Sequence, residues 1–230
     1  MLRSHETVVL SLGGSLIAPK EGIDVSFLKK FGNLVRRHVK KGRRFVIICG
    51  GGTTARDYQG AAGRVTKLTR DDLDWLGIHA TRLNAHLLRT VFRDLAHPRI
   101  ITDPHEDMTS RRPVIIGAGW RPGCSTDYDA VLLAKRYDAT RLINLSNIAY
   151  VYDKDPRKHA DAVAFPSLTW KEFRKRFGSR WHPGLNSPFD PVASKEADRI
   201  GLTVVIAEGR DIANLDRMLD GKPFKGTLVG

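Results

Sequence analysis

The stretch Pro122-Gly123-Cys124-Ser125-Thr126-Asp127 decides the fold when it is taken together with Asn144-Leu145-Ser146-Asn147-Ile148-Ala149-Tyr150-Val151-Tyr152-Asp153-Lys154-Asp155-Pro156. The first is a Gly/Ser/Thr loop that ends in an acid and opens a helix over Ala130 to Tyr137, with Thr126 as the expected N-cap. The second follows the strand-like run Thr140 to Asn144 and ends in an acid-proline turn. Each sets a loop of small or polar residues after an apolar run, where open α/β sheets bind phosphates.

Working outward, strand-like and helix-like runs alternate. Val8 to Leu12 and Phe45 to Cys49 read as short buried strands, each ended by glycines. Arg99 to Ile101, Pro113 to Gly117 and Leu202 to Ile206 read as further strands. Helical periodicity covers Val25 to Lys41, Thr54 to Gly63 and Arg70 to about Leu95. The pattern predicts a mainly parallel sheet sandwiched by helices, a three-layer αβα arrangement. At 230 residues, one domain is expected. Two closely joined lobes, about 1–136 and about 137–230, are expected within it. Phe177 to Pro191, rich in Gly, Pro, Ser and Asn, reads as a long loop of the kind that carries binding segments.

The glycine clusters fall at strand ends. Gly13, Gly14 and Ser15 follow the first strand, where paired glycines let backbone N–H groups approach a polyphosphate. Alone this is a weak signal, and it is not a P-loop. Gly50-Gly51-Gly52 followed by Arg56 is stronger, since it sets N–H donors and a guanidinium around an anion. Asp127 is read as a site carboxylate and Asp129 as a first-turn acid. Asp74 is either a solvated helix acid or an acceptor for ribose hydroxyls. Arg82 and Asn84 either line a cleft or tie helices together. Asp72 reads as a solvated helix acid.

Composition narrows the rest. The net charge of +13 concentrates in Lys29, Lys30, Arg36, Arg37, Lys40, Lys41, Arg43 and Arg44, which alternate with Leu28, Phe31, Val35 and Val39. That is an amphipathic helix with a basic solvent face, and nucleic-acid binding ranks last among the readings. No apolar run approaches the ~20 residues of a membrane span, and no secretory leader is expected. Cys49 and Cys124 are the only cysteines and are expected to be reduced, in the cytoplasm. The eight histidines show no ligand spacing, so no protein-held metal is expected.

In order, the motifs G-G-S, G-G-G-x-x-A-R, D-x-x-G-I-x-x-[ST]-R-x-N-A, P-G-x-[ST]-T-D, S-N-x-x-x-V-Y-x-x-D-P and D-P-x-A-x-K make the chain resemble the amino-acid kinase superfamily over nearly its whole length. Within that superfamily it is most similar to the archaeal-type uridylate kinases. The resemblance implies phosphoryl transfer from ATP to UMP with Mg²⁺, in a homo-oligomer, by analogy a hexamer. It implies that Gly51, Asp74, Gly77, Trp120, Arg121, Pro122, Gly123, Cys124, Ser125 and Thr126 hold UMP. Gly13, Gly14, Ser15, Gly52, Arg56, Ser146, Asn147, Tyr152 and Asp155 would hold ATP. Asp127 would organise the transferring group, and Lys195 would neutralise charge near it. Three positions depart from the superfamily pattern. Ser11 stands where many members carry Lys, Ala149-Tyr150 replaces Asp-Gly, and Gly117-Ala118-Gly119 interrupts a Gly-Gly. These departures keep two alternatives open: a kinase of another small acceptor such as isopentenyl phosphate, and a non-catalytic nucleotide- or oxyanion-binding relative.

Overall fold

The computed structural model describes residues 7–106, 108, 110–178 and 187–230. In chain order the elements are β1 (Thr7–Leu12), α1 (Gly14–Ile17), α2 (Val25–Lys40), β2 (Arg44–Cys49), α3 (Gly52–Val65), α4 (Arg70–Val91), β3 (Val114–Gly117), α5 (Thr126–Arg136) and β4 (Arg141–Ser146). Then come β5 (Val151–Tyr152), β6 (Ala164–Phe165), β7 (Ser167–Leu168), α6 (Trp170–Phe177), α7 (Pro191–Arg199), β8 (Thr203–Glu208), α8 (Ile212–Leu219) and β9 (Thr227–Val229).

Seven strands form one sheet in the order β3-β2-β1-β4-β8-β9-β7. Its pairings are parallel except β8 with β9. Strand alternation explains the layers. Val8, Leu10 and Leu12 point into one core with Phe45 and Ile47, against α1, α2, α4 and α8. Val9, Val46 and Ile48 point into the other, against α5, α6 and α7. Both faces are covered, which is why the central strands read as unbroken apolar runs. No helix among the described residues is long and apolar enough to cross a membrane.

Arg99 to Ile101 is not a strand. Only single bridges join Ala96 to Val114 and Ile101 to Gly117. Pro98 has no N–H to give, and the Arg99 N–H is turned onto the His97 ring. The long helix also stops earlier than its periodicity suggests, at Val91, and starts in a capping box between Thr69 and Asp72.

The basic face of α2 is exposed and laced with ion pairs, Arg36 to Asp94, Arg37 to Asp216 and Lys41 to Asp220. Beneath it, fully buried His38 ties α2 to α8. Arg43 always donates, so its 2.8 Å bond makes His38 Nδ1 an acceptor, and Nε2–H then donates to Asp216 at 2.7 Å. The ring is held neutral, chiefly because burial opposes its charging. Ligand atoms of His38, Asp216 and Asp220 cluster as they would round an ion. Arg37, Lys41 and Arg43 already neutralise the two acids.

The two glycine turns interlock. Gly52 has a left-handed φ of +61°, and a Cβ on it would fall inside the backbone of Gly14. A Cβ on Gly14 would in turn fall on Gly50 and Gly52. Gly52→Ala is expected to destabilise the fold by at least about 2 kcal/mol, measured by urea unfolding. A stability within experimental error of the parent would show that the turns can separate freely.

Candidate active site

The carboxyl ends of β1, β2, β3 and β4 converge on one region. Gly13 N–H donates to the Leu145 carbonyl at 2.9 Å, and Gly50 N–H to that of Leu12 at 2.9 Å. The glycine turn after β1 is thereby tied to both neighbouring strands. Asn84, buried on α4, donates to the carbonyls of Gly50 and Gly51 at 2.8 and 3.3 Å. Gly77 lies on α4 beside Gly51. Asn84 and Arg82 are therefore ties, since Arg82 donates to the carbonyls of Gly119 and Trp120.

The loop from Gly119 to Ser125 ends at the N-terminus of α5. Ser125, not Thr126, is the N-cap, its hydroxyl accepting from Tyr128 N–H at 3.1 Å. The helix starts one residue after that cap, several residues earlier than Ala130. Asp74 reaches from α4 to accept from Gly123 N–H at 2.8 Å, so it faces this loop and not bulk solvent alone. Arg121 lies over the Trp120 ring at 4.0 Å, and His105 packs edge-on against the same ring at 5.0 Å between centroids. Burial pushes the Cys124 thiol up, and both cysteines are free.

Asp127 sits where the two halves of the sheet meet. Its Oδ1 accepts from the Ser11 hydroxyl at 3.1 Å and its Oδ2 from Asp190 N–H at 3.2 Å. Loss of solvent lifts its pKa to about 6, and the neighbouring Asp190 carboxylate adds to that, outweighing both hydrogen bonds. Asp190 caps α7 through Ala193 N–H, and burial raises its pKa too. Asp129 is a first-turn acid, and a buried one. It is 1% exposed and accepts from Trp120 N–H at 3.1 Å. The helix register turns it under the loop, and burial lifts its pKa to about 7. Among the described residues, no cation figures in the neighbours that shift these three carboxyls.

A cleft of about 480 Å³ opens beside the first glycine turn. Ser15, Arg56, Ser146, Asn147, Tyr152 and Asp155 all line it. Gly13, Gly14 and Gly52 form the turns behind it and are not lining residues. The cleft also takes in Ile148, Lys154, Arg157 and Phe177, which sequence reasoning passed over. The signal for Lys154 and Arg157 was their place on either side of the Asp155-Pro156 turn. Arg157 grips Asp155 through two nitrogens at 3.0 and 3.2 Å. Arg56 donates to Thr53 at 2.9 Å and stays exposed. Phe177, Ser187 and Pro188 line the cleft, which places both described ends of the expected long loop there, and residues 179–186 lie outside the described residues. Lys195 occupies the solvent side of α7 with Arg174, Asp198 and Arg199, apart from the cleft lining.

A mainly parallel sheet with glycine turns, a cationic cleft and a central carboxylate at its strand ends defines a phosphate-handling α/β enzyme. The chain belongs to the amino acid kinase family, which it matches over residues 6–208. It is similar to the uridylate kinase of Thermoplasma volcanium, with 37% identity over 229 residues covering 98% of each chain. It is also similar to that of Methanospirillum hungatei JF-1, at 36% over 226 residues, covering 97% of this chain and 94% of the relative. Among solved structures it resembles the uridylate kinase from Archaeoglobus fulgidus, with a TM-score of 0.81 and 29% identity over 97% of this chain and 99% of that one.

Asp127→Asn is expected to lower turnover at least tenfold, about 1.4 kcal/mol of barrier, with ATP affinity nearly kept. Turnover of the parent should rise with pH through about 6 as Asp127 ionises. A loss smaller than tenfold, with the pH profile intact, would reduce Asp127 to a helix-start acid.

Proposed function

We propose that the protein transfers the γ-phosphoryl group of ATP to UMP, giving ADP and UDP. A UMP phosphate oxygen forms the new bond to phosphorus, and the bridging oxygen leaves with ADP. The observation that carries the reading is that Asp127 follows a loop anchored by α4 and α5 and accepts from Asp190 N–H, two residues beyond Pro188 in the wall of a cleft also lined by Arg56, Lys154 and Arg157. Such transfer needs positioning and charge neutralisation more than covalent chemistry.

In this reading residues 1–136 hold the acceptor and 137–230 mainly the nucleotide. Gly51, Asp74, Gly77 and the Trp120 to Thr126 segment face UMP, with Asp74 poised between Gly123 and the ribose. Ser15, Ser146, Asn147 and Tyr152 line the ATP side with the three cations. Asp155 contributes there after exchanging part of its Arg157 pairing. Gly13, Gly14 and Gly52 supply backbone N–H groups. Lys195 screens charge from the solvent side of α7. Asp127 and Asp190, oxygen donors with no cation among the described neighbours that set their pKa values, would suit Mg²⁺, which carries ATP and neutralises phosphate charge when bound. Ser11 holds the Asp127 carboxyl in place where an ammonium would otherwise sit. The reaction draws on soluble nucleotides, which suits a cytoplasmic enzyme of pyrimidine nucleotide synthesis.

UMP is expected to be phosphorylated about a hundredfold better in kcat/KM than CMP, AMP or isopentenyl phosphate, about 2.7 kcal/mol, in a coupled assay with each acceptor. A site that hydrogen-bonds its substrate rejects analogues by leaving its own polar groups unpaired. Isopentenyl phosphate winning that comparison would overturn the reading. Silence toward every acceptor, with ATP still bound, would identify a non-catalytic relative.

The oligomer is part of the same proposal. Tyr58, Val65, Trp75 and Leu83 expose large apolar surface on α3 and α4, as an interface between copies would. Sedimentation is expected to give a dimer or a hexamer built from dimers. A monomer at micromolar concentration would remove it.

A further inference from the structure

One face of α4 packs against the turn that follows β2. A Cβ on Gly51 would meet the Gly77 carbonyl at 3.3 Å and the Ala80 side chain at 3.6 Å, so helix and turn approach closely there. Asn84 follows Ala80 on the same helix face and is 2% exposed. A buried carboxamide costs free energy unless it is hydrogen-bonded, and asparagine is a weak helix former. Asn84 carries both penalties, and its bonds go to the turn. Its Nδ2 donates to the Gly50 carbonyl at 2.8 Å and to the Gly51 carbonyl at 3.3 Å. Ala55 N–H shares the Gly51 carbonyl at 3.3 Å. Among the described residues, no other side chain bonds to either oxygen.

Those two oxygens belong to consecutive peptide groups. The first carries the Gly51 N–H and the second the Gly52 N–H. A peptide group is planar and trans, so its N–H points opposite to its carbonyl. Holding both oxygens from the α4 side turns both N–H groups away from α4. Neither meets an acceptor among the described residues. The backbone conformation brings them together. Gly51 is right-handed, with φ −78° and ψ −32°, and Gly52 is left-handed, with φ +61°. Successive residues of those two hands form a concavity of N–H donors that suits an anion. The preceding Gly50 N–H is held separately, by the Leu12 carbonyl at 2.9 Å. The turn is thus fixed to β1 on one side and to Asn84 on the other.

We propose that Asn84 is a positioning residue for phosphoryl transfer, aiming through one carboxamide the two adjacent N–H donors that meet the phosphates of acceptor and donor. The inference rests on the reading that Gly51 faces UMP and Gly52 faces ATP. The two substrates then meet neighbouring donors of one turn, and that turn sets how far apart their phosphates lie. Asn84 itself touches neither substrate. Without it the Gly50 carbonyl loses its side-chain partner, and the peptide groups gain the rotational freedom that glycine permits. The N–H groups then lose their aim, while the nucleosides stay held by other residues.

The test compares the parent with Asn84→Leu, which keeps the volume, and Asn84→Ala, neither of which can donate. Calorimetry gives the Kd for UMP and, by competition, for uridine, so the ratio of the two isolates what the phosphate contributes. The preference for UMP over uridine is expected to fall about tenfold in both variants, with uridine affinity unchanged. In steady-state kinetics kcat is expected to fall roughly a hundredfold, more than either KM rises, because the reacting groups lose alignment. A general loosening of the fold would weaken UMP and uridine alike. An unchanged ratio in variants of a parent that phosphorylates UMP would overturn the Asn84 role alone. Amide NMR on the parent needs no variant. The Gly51 N–H resonance is expected to shift with UMP and not with uridine, and that of Gly52 with ATP and not with adenosine. Two resonances indifferent to both bound nucleotides would overturn the proposal even if neither variant folds. A parent that binds no UMP would overturn the acceptor reading and this role with it.

Discussion

The interlocking of Gly14 with Gly50 and Gly52 is the constraint on which the rest of the architecture depends. Two parallel strands can lie side by side with many kinds of turn at their ends. Here both turns occupy the same small volume, backbone on backbone, with no room for a Cβ on either. That contact sets where α1 and α3 begin, and so the direction of the N–H groups at their first turns. Asn84 then closes the arrangement from the third side by taking up the Gly50 and Gly51 carbonyls. The cleft and the Gly119–Ser125 loop are built outward from this junction.

Charge is arranged against the protein's overall balance. The chain carries +13, yet three carboxyls with raised pKa values lie close together at the strand ends, and no cation figures among the described groups that shift them. The cations line the neighbouring cleft, where Arg56, Lys154 and Arg157 are solvent-accessible and ready for polyphosphate. Separating the two signs in this way keeps the acids from neutralising the cations before a ligand arrives. The exceptions are Asp155, which Arg157 holds in a two-pronged pair at the cleft wall, and Asp161, which Lys154 pairs with at 2.6 Å.

Much of this was legible from sequence, and the limits are physical. Glycine turns at strand ends declare themselves because only glycine tolerates such close approach. The β-branched runs of the central strands declare themselves because both faces are buried. Asp190 stood in the D-P-x-A-x-K motif and reads as a helix start, which it is, but its contact with Asp127 spans 63 residues and leaves no mark on local spacing. Asp129 was correctly placed in a first turn but its burial was not legible, because the roll of a helix against a sheet is a tertiary quantity. Arg82 and Asn84 were left between two roles for the same reason. Arg99 to Ile101 looked like a strand on composition, and Pro98 prevented it from pairing as one.

The His38 network also bears on the order of events in folding. Its contact with Asp216 joins residues 178 apart in the chain. Closing a loop of that length costs entropy before the contact returns any enthalpy. The tie between α2 and α8 therefore belongs to the last stages of assembly, after the strands between them have paired. Interactions formed that late contribute little to the speed of folding and much to the barrier against unfolding. A buried histidine far from the cleft thus acts as a kinetic latch, governing how long the native state lasts more than how quickly it forms.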